Sequence, residues 1–256
     1  MSAIDFVNVG KKFGQIEALR DVSLRVREGE FISLIGPSGC GKTTMLRIVA
    51  GLEDATAGEV TVNGAPPSEA CRAHQVGVAF QRPALLPSRT AISNVKLTLE
   101  ITGAKNSMPP GKLLQDFGLG EFLDHYPHQL SGGMQQRVNI AAALVHNPSI
   151  LLLDEPFGAL DELTREAMAD WLAQVLMHTP KTVLFVTHSV EEATILSDRV
   201  VVLSARPGRI AEILQIAFPR PRVKEVRTQP QFLQEVARVR AALYSSISAG
   251  HNTLNV

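Results

Sequence analysis

Residues 30–44 read EFISLIGPSGCGKTT. Phe31 to Ile35 form an unbroken apolar run, which predicts a strand covered on both faces, as in a parallel sheet. The run leads straight into Gly36, Ser38, Gly39, Cys40 and Gly41, and then into Lys42, Thr43 and Thr44. Glycines in such a loop let consecutive backbone N–H groups point into one hollow, and the start of the following helix adds its positive end. The residues fit a cradle for an anion of the polyphosphate type. Lys42 reaches its outer phosphates and the Thr43 hydroxyl offers a ligand to Mg²⁺. A chance glycine-rich turn is the bland alternative. The buried strand before the loop and the helix pattern after it (KTTMLRIVAGL, with Met45, Leu46, Val49 and Leu52 inward) favour the cradle.

Outward from this loop the texture divides the chain. AIDFVNV and DVSLRV alternate apolar and polar residues, which predicts antiparallel strands with one wet face. EVTVNG and QVGVAFQ read as further strands. From Pro83 to Asn147 helical spacing and prolines replace β-branched runs, which marks an inserted helical subdomain. After Pro148 strands and helices alternate again. SILLLDEP is a buried strand, and a helix follows through Leu163, Met168, Trp171, Leu172 and Val175. TVLFVTH is the next buried strand, then Ser189 and Glu192 are spaced as a capping box, and RVVVLS follows. This order predicts a mostly parallel core sheet from residues 1–82 and 148–218, and a short tail, 219–256, with one helix near 232–244.

Composition bounds the possibilities. The chain has 256 residues, 45% apolar and 20% charged, as expected of a soluble globular protein. Lys+Arg and Asp+Glu both number 25, so no basic excess points to a nucleic-acid partner. No apolar run approaches the ~20 residues of a membrane span, and the N-terminus shows no signal-peptide pattern. Cys40 and Cys71 have no metal-like spacing. A cytosolic protein is expected.

Three further groups carry chemistry. ILLLDEP places Asp154 and Glu155 at the carboxyl end of a buried strand, the edge at which open parallel sheets bind ligands. Asp154 suits a Mg²⁺ ligand, and Glu155 suits the orientation or deprotonation of an attacking water. His188 ends the next buried strand. A lone His there is more often structural, but beside Asp154 and Glu155 a contact to the terminal phosphate is the better reading. Gln81, after VGVAF, is the same case in weaker form. Finally, LSGGMQQR (130–137) is a second loop of anion-holding makeup.

The order GPSGCGKTT, Gln81, LSGGMQQR, ILLLDEP, GALD (158–161) and His188 resembles the ATP-binding subunits of ABC transporters, over nearly the whole chain. That resemblance implies a P-loop NTPase core, an ABC ATPase fold of the α/β class, with an N-terminal antiparallel β-subdomain and the helical subdomain inserted at 83–147. It implies that Gln81 senses a transmembrane partner and serves the metal and the reaction, that Ser131, Gly132 and Gly133 contact ATP, and that Asp161 acts across a dimer. Phe13 stands where such subunits carry an aromatic that stacks on adenine; stacking needs only the ring face. Met134 stands where Gln is common, and Gly158 replaces a frequent Ser.

FGALD, LSARPGRI (203–210) and PRPR (219–222) are similar to importer subunits of the nitrate/sulfonate/taurine group. The resemblance implies ATP with Mg²⁺, and two head-to-tail copies in which the signature loop of one closes over the ATP held by the other. It also implies transmembrane permease subunits, indirectly a solute-binding protein, and a peripheral place on the cytoplasmic face of the inner membrane. A soluble ABC ATPase serving a non-transport process such as iron–sulfur cluster assembly is the alternative; a non-hydrolysing ATP-switch scaffold is a further rival, disfavoured by Glu155 and His188. A bulky thiol reagent at Cys40 is expected to block ATP binding, unless the thiol faces the core.

Overall fold

The run around Phe31 is the centre of the molecule. In the computed structural model, which describes residues 2–105, 107–178, 181–218, 220, 222 and 224–251, strand β3 (Phe31–Ile35) is buried at every position. It pairs in parallel with β7 (Thr182–Val186) on one side and β8 (Arg199–Leu203) on the other. The sheet continues outward through β6 (Ile150–Asp154) to β5 (Val76–Ala79), both parallel. On the other side β9 (Ile210–Gln215) closes it antiparallel to β8, giving the order β5-β6-β7-β3-β8-β9.

Although these strands read as continuous apolar runs, alternate residues serve different cores. Phe31, Leu151, Leu153, Val183, Phe185, Val200 and Val202 belong to one buried cluster, and Ile32, Leu34, Leu152, Leu184, Val186 and Val201 to the other. The second cluster takes in helix α1 (Lys42–Val49) and the antiparallel sheet β2-β1-β4, made of β1 (Ser2–Phe13), β2 (Ile16–Arg27) and β4 (Ala57–Val62). The first takes in the remaining major helices. They are α3 (Ala91–Thr102), α4 (Pro110–Asp116), α5 (Gly132–Leu144), α6 (Glu162–His178), α7 (Val190–Leu196) and α8 (Pro230–His251). A short α2 (Pro67–Arg72) lies between β4 and β5.

Residues 83–147 hold α3, α4 and α5 and two 3-10 turns. Gly77 lets α5 approach β5, because a Cβ there would lie 2.0 Å from the Ala143 carbonyl oxygen. Trp171 of α6 meets Phe117 edge-on, with ring centroids 4.7 Å apart. The first contact binds the helical stretch to the parallel sheet and the second binds it to α6.

Several expectations are corrected. Leu52 and Leu163 are 54% and 80% exposed, since each lies past or before the turns that face the core. Ser189 caps α7 by accepting from the Glu192 N–H at 3.2 Å, but Glu192 does not reach back, because Thr187 donates to its carboxylate. The tail helix is longer than 232–244, and α2 and β9 were not anticipated. Of PRPR, Pro219 and Pro221 lie outside the described residues.

Candidate functional site

The loop after β3 is built to receive an anion. Helix α1 starts after Gly41, whose φ of 96° and lack of a side chain leave the first-turn N–H groups without a side-chain cap. A Cβ on Gly41 would stand 2.4 Å from Leu19 Cδ2, so glycine is required there on steric grounds as well. An uncapped helix start presents N–H groups and a positive dipole end to a phosphate. Lys42 is almost fully buried, and its Nζ donates to the carbonyls of Gly36 at 2.8 Å and Pro37 at 3.1 Å. The amine is thus held inside the loop it is expected to serve.

Cys40 turns its sulfur inward, where it accepts from Lys42 Nζ at 3.8 Å. Its side chain is fully buried in the cluster under the loop, and burial pushes the thiol pKa up. The expected block by a thiol reagent is therefore corrected: the thiol is both inaccessible and kept protonated.

Thr43 Oγ1 donates to Asp154 Oδ1 at 3.0 Å, joining the loop to the end of β6. Burial raises the Asp154 pKa, the Thr43 hydrogen bond opposes this, and the neighbouring Glu155 charge adds to it. A hydroxyl and a carboxylate, both hard oxygen donors, beside a phosphate cradle fit Mg²⁺, which keeps waters and takes few protein ligands.

Glu155 has a φ of 46°, a left-handed conformation that costs a non-glycine residue about 1–3 kcal/mol. Its N–H is fixed to the Val186 carbonyl at 2.9 Å, and its Oε1 lies 2.5 Å from His188 Nε2. The sharp turn after Asp154 aims the carboxylate back over the sheet edge. Phe13 and Ile16 from the β1–β2 hairpin, Lys42 and Thr43 from the loop, and Glu155 and His188 from the sheet edge line one cavity of about 400 Å³. Ser38, Gly39 and Thr44 line it too. Phe13 is 44% exposed, with Lys11 Nζ 4.8 Å from its ring centre, and so offers a ring face.

Other candidate residues lie elsewhere. Gln81 lines an adjoining cavity of about 570 Å³, which shares Glu155 and His188 with the first, and its amide sits beside Gly158. Ser131, Gly132 and Gly133 do not line the cavity around the phosphate loop. Ser131 caps α5 by accepting from the Met134 N–H at 3.3 Å, and Gly132 and Gly133 open that helix. Asp161 caps α6, accepting from the Thr164 N–H at 3.0 Å and its hydroxyl at 2.7 Å; those bonds lower its pKa. One chain therefore holds two glycine-bearing helix starts, of α1 and α5, that do not share a cavity.

Sequence reasoning missed Arg206. It lines the loop cavity, and its Nε donates to the Gly39 carbonyl at 3.3 Å. Gly208 allows this approach, since a Cβ there would lie 1.9 Å from the Cys40 carbonyl oxygen. The glycine in LSARPGRI was the available signal, but the partner it fits against is far away in sequence.

Comparison with known proteins agrees with this geometry. Residues 19–158 match the family model described as ABC transporter. An uncharacterized ABC transporter ATP-binding protein of Methanocaldococcus jannaschii is 48% identical over 227 residues, covering 86% of this chain and 82% of its own. A taurine import ATP-binding protein of Rhizobium johnstonii is 40% identical over 257 residues, covering 96% and 97%. An aliphatic sulfonates import ATP-binding protein of Xanthomonas axonopodis pv. citri is 44% identical, covering 84% and 86%. Among solved structures, a dimeric ATP-binding cassette in a post-hydrolysis state, bound to ADP and Pi, superposes with a TM-score of 0.73. It is 35% identical and covers 84% of this chain and all of its own.

Proposed function

The chain belongs to the ABC transporter family and is its ATP-binding, ATP-hydrolysing component, and we propose that it energises an importer of taurine-like sulfonates or related small anions. The observation that carries this reading is the taurine import relative, which is similar to the chain from end to end. The aliphatic sulfonates relative points to the same substrate class. Among the described residues no helix is long and apolar enough to cross a membrane. In this reading separate permease subunits supply the membrane path. The chain would sit against them on the cytoplasmic face, with a solute-binding protein reached only through the permease.

In this reading Phe13 stacks on adenine, and the N–H groups of residues 38–44 with Lys42 hold the phosphates. Thr43 and Asp154 would hold Mg²⁺, with Gln81 joining from the adjoining cavity, and the ion would supply neutralisation of phosphate charge. Glu155 takes a proton from the attacking water or orients it, and His188, 2.5 Å away, holds Glu155 and the terminal phosphate in register. Ser131, Gly132 and Gly133 close over the ATP of a second copy, and residues 158–161, Asp161 among them, meet that copy. Closure excludes all but the attacking water. Hydrolysis removes the phosphate that bridges the copies, and the dimer reopens.

The test is made in a bacterial host that carries the chain together with its neighbouring genes. A tagged chain extracted from membranes in mild detergent should bring down a polytopic membrane protein. Taurine or alkanesulfonate uptake should stop on Lys42→Ala. Recovery only in the soluble fraction with iron–sulfur assembly proteins would overturn the importer reading.

A further inference from the structure

Arg165, on the first turns of α6, stands between the two loops that flank the catalytic carboxylate. Its Nη2 donates to the Leu160 carbonyl at 2.9 Å, and its Nη1 to Glu162 Oε2 at 3.0 Å. Its Nε, buried and without a hydrogen bond, faces Glu192 Oε1 at 3.6 Å, an ion-pair distance with room to shorten. Glu192 is buried on α7 and accepts from the Thr187 hydroxyl through its other oxygen. Thr187 Oγ1 in turn accepts from the Ser189 N–H at 3.0 Å, so it grips the backbone on both sides of His188. His188 contacts Glu155. A continuous polar path thus runs from residues 158–161 to the catalytic pair, and its one loose joint is the Arg165–Glu192 step. Arg165 and Glu192 both line the cavity behind Glu155, away from the phosphate loop, so neither is placed to touch ATP.

We infer that Arg165 is a positioning residue: contact of a second copy with residues 158–161 draws Arg165 onto Glu192, which fixes Thr187 and thereby sets His188 against Glu155. The inference rests on the two-copy reading above and adds the route by which dimer closure reaches the reacting atoms. A guanidinium suits the task because its planar fork faces three acceptors on two chain segments at once. Once Glu192 is held from both sides, the His188 loop has one arrangement instead of several.

The experiment uses the full chain with Arg165→Met, Glu192→Gln and both together. Each single change should lower kcat by about tenfold and leave KM for ATP within about twofold, because the path acts on turnover and not on ATP binding. The double variant should be no worse than the poorer single, as expected of two breaks in one link. In a Glu155→Gln background, which cannot clear ATP, Arg165→Met should still form the ATP-dependent dimer. Should Arg165→Met fail to fold, Arg165→Lys carries the same expectation, since an ammonium does not span the three acceptors. Full turnover, additive losses near a hundredfold, or loss of the dimer in step with kcat would each overturn the inference. A Glu155→Gln parent that stays monomeric with ATP is a different failure: it overturns the two-copy reading, and the relay with it.

Discussion

Lys42 and Glu155 sit in one cavity and yet should fail in different ways. In the proposed reading the Lys42 charge meets the phosphates before and during reaction, so Lys42→Ala should weaken ATP binding and hydrolysis together. In the same reading Glu155 acts only on the water, so Glu155→Gln should bind ATP normally while hydrolysis falls by roughly 10²–10⁴-fold. Equilibrium binding of a fluorescent ATP analogue beside steady-state turnover separates the two; an equal loss of affinity in both would show Glu155 to be a binding residue. These residues were legible because loop, strand and helix follow one another directly in the chain, so that spacing fixes geometry. The strain at Glu155 and the entry of Arg206 were not legible. The first depends on how a turn closes against Val186, and the second on a contact from residue 206 to residue 39.

Among the elements, α7 carries a carboxyl group that burial keeps protonated. Burial pushes the pKa of Glu192 up to about 7, opposed by the Thr187 hydrogen bond and by Arg165, and assisted by the Glu162 and Glu155 charges. The folded chain therefore keeps a proton that the unfolded chain gives up at lower pH. Stability from this group is fully present below the ordinary carboxyl range and is lost as pH rises through about 7. Between about pH 5 and about pH 8 the loss is on the order of 3 kcal/mol at most. Glu192→Gln should flatten the fall of Tm with pH over that span; an unchanged slope would place the titration elsewhere. Helix α8 makes a second case. Phe232, Val236 and Val239 are buried, and Phe232 meets Phe218 edge-on at 6.4 Å. Packing accounts for the helix, and Phe232→Ala should cost about 3–5 kcal/mol, read by urea denaturation. The amphipathic spacing of this helix was visible in the sequence, but its ends were not, because no proline or glycine stops it at 244. Strand β9 was missed for a related reason: its pattern, buried only at Leu214 and half-buried at Ile210, is that of an edge strand.

At the scale of the whole molecule, two glycine-bearing helix starts, after Gly41 and after Ser131, belong to one chain without lining one cavity. Their separation is explained if each works on a different nucleotide, the first on its own chain's ATP and the second on that of a second copy. The dimeric ATP-binding cassette that superposes on this chain accords with such an arrangement. The most direct measurement is size-exclusion chromatography with light scattering on Glu155→Gln, alone and combined with Ser131→Arg, in ATP or ADP. Glu155→Gln should run at twice the monomer mass with ATP and as a monomer with ADP. Adding Ser131→Arg should abolish the dimer while leaving ATP affinity of the monomer unchanged, since its own phosphate loop is untouched. A dimer that persists with Ser131→Arg, or a monomer that loses ATP affinity through that change, would contradict the sharing of each ATP between two copies.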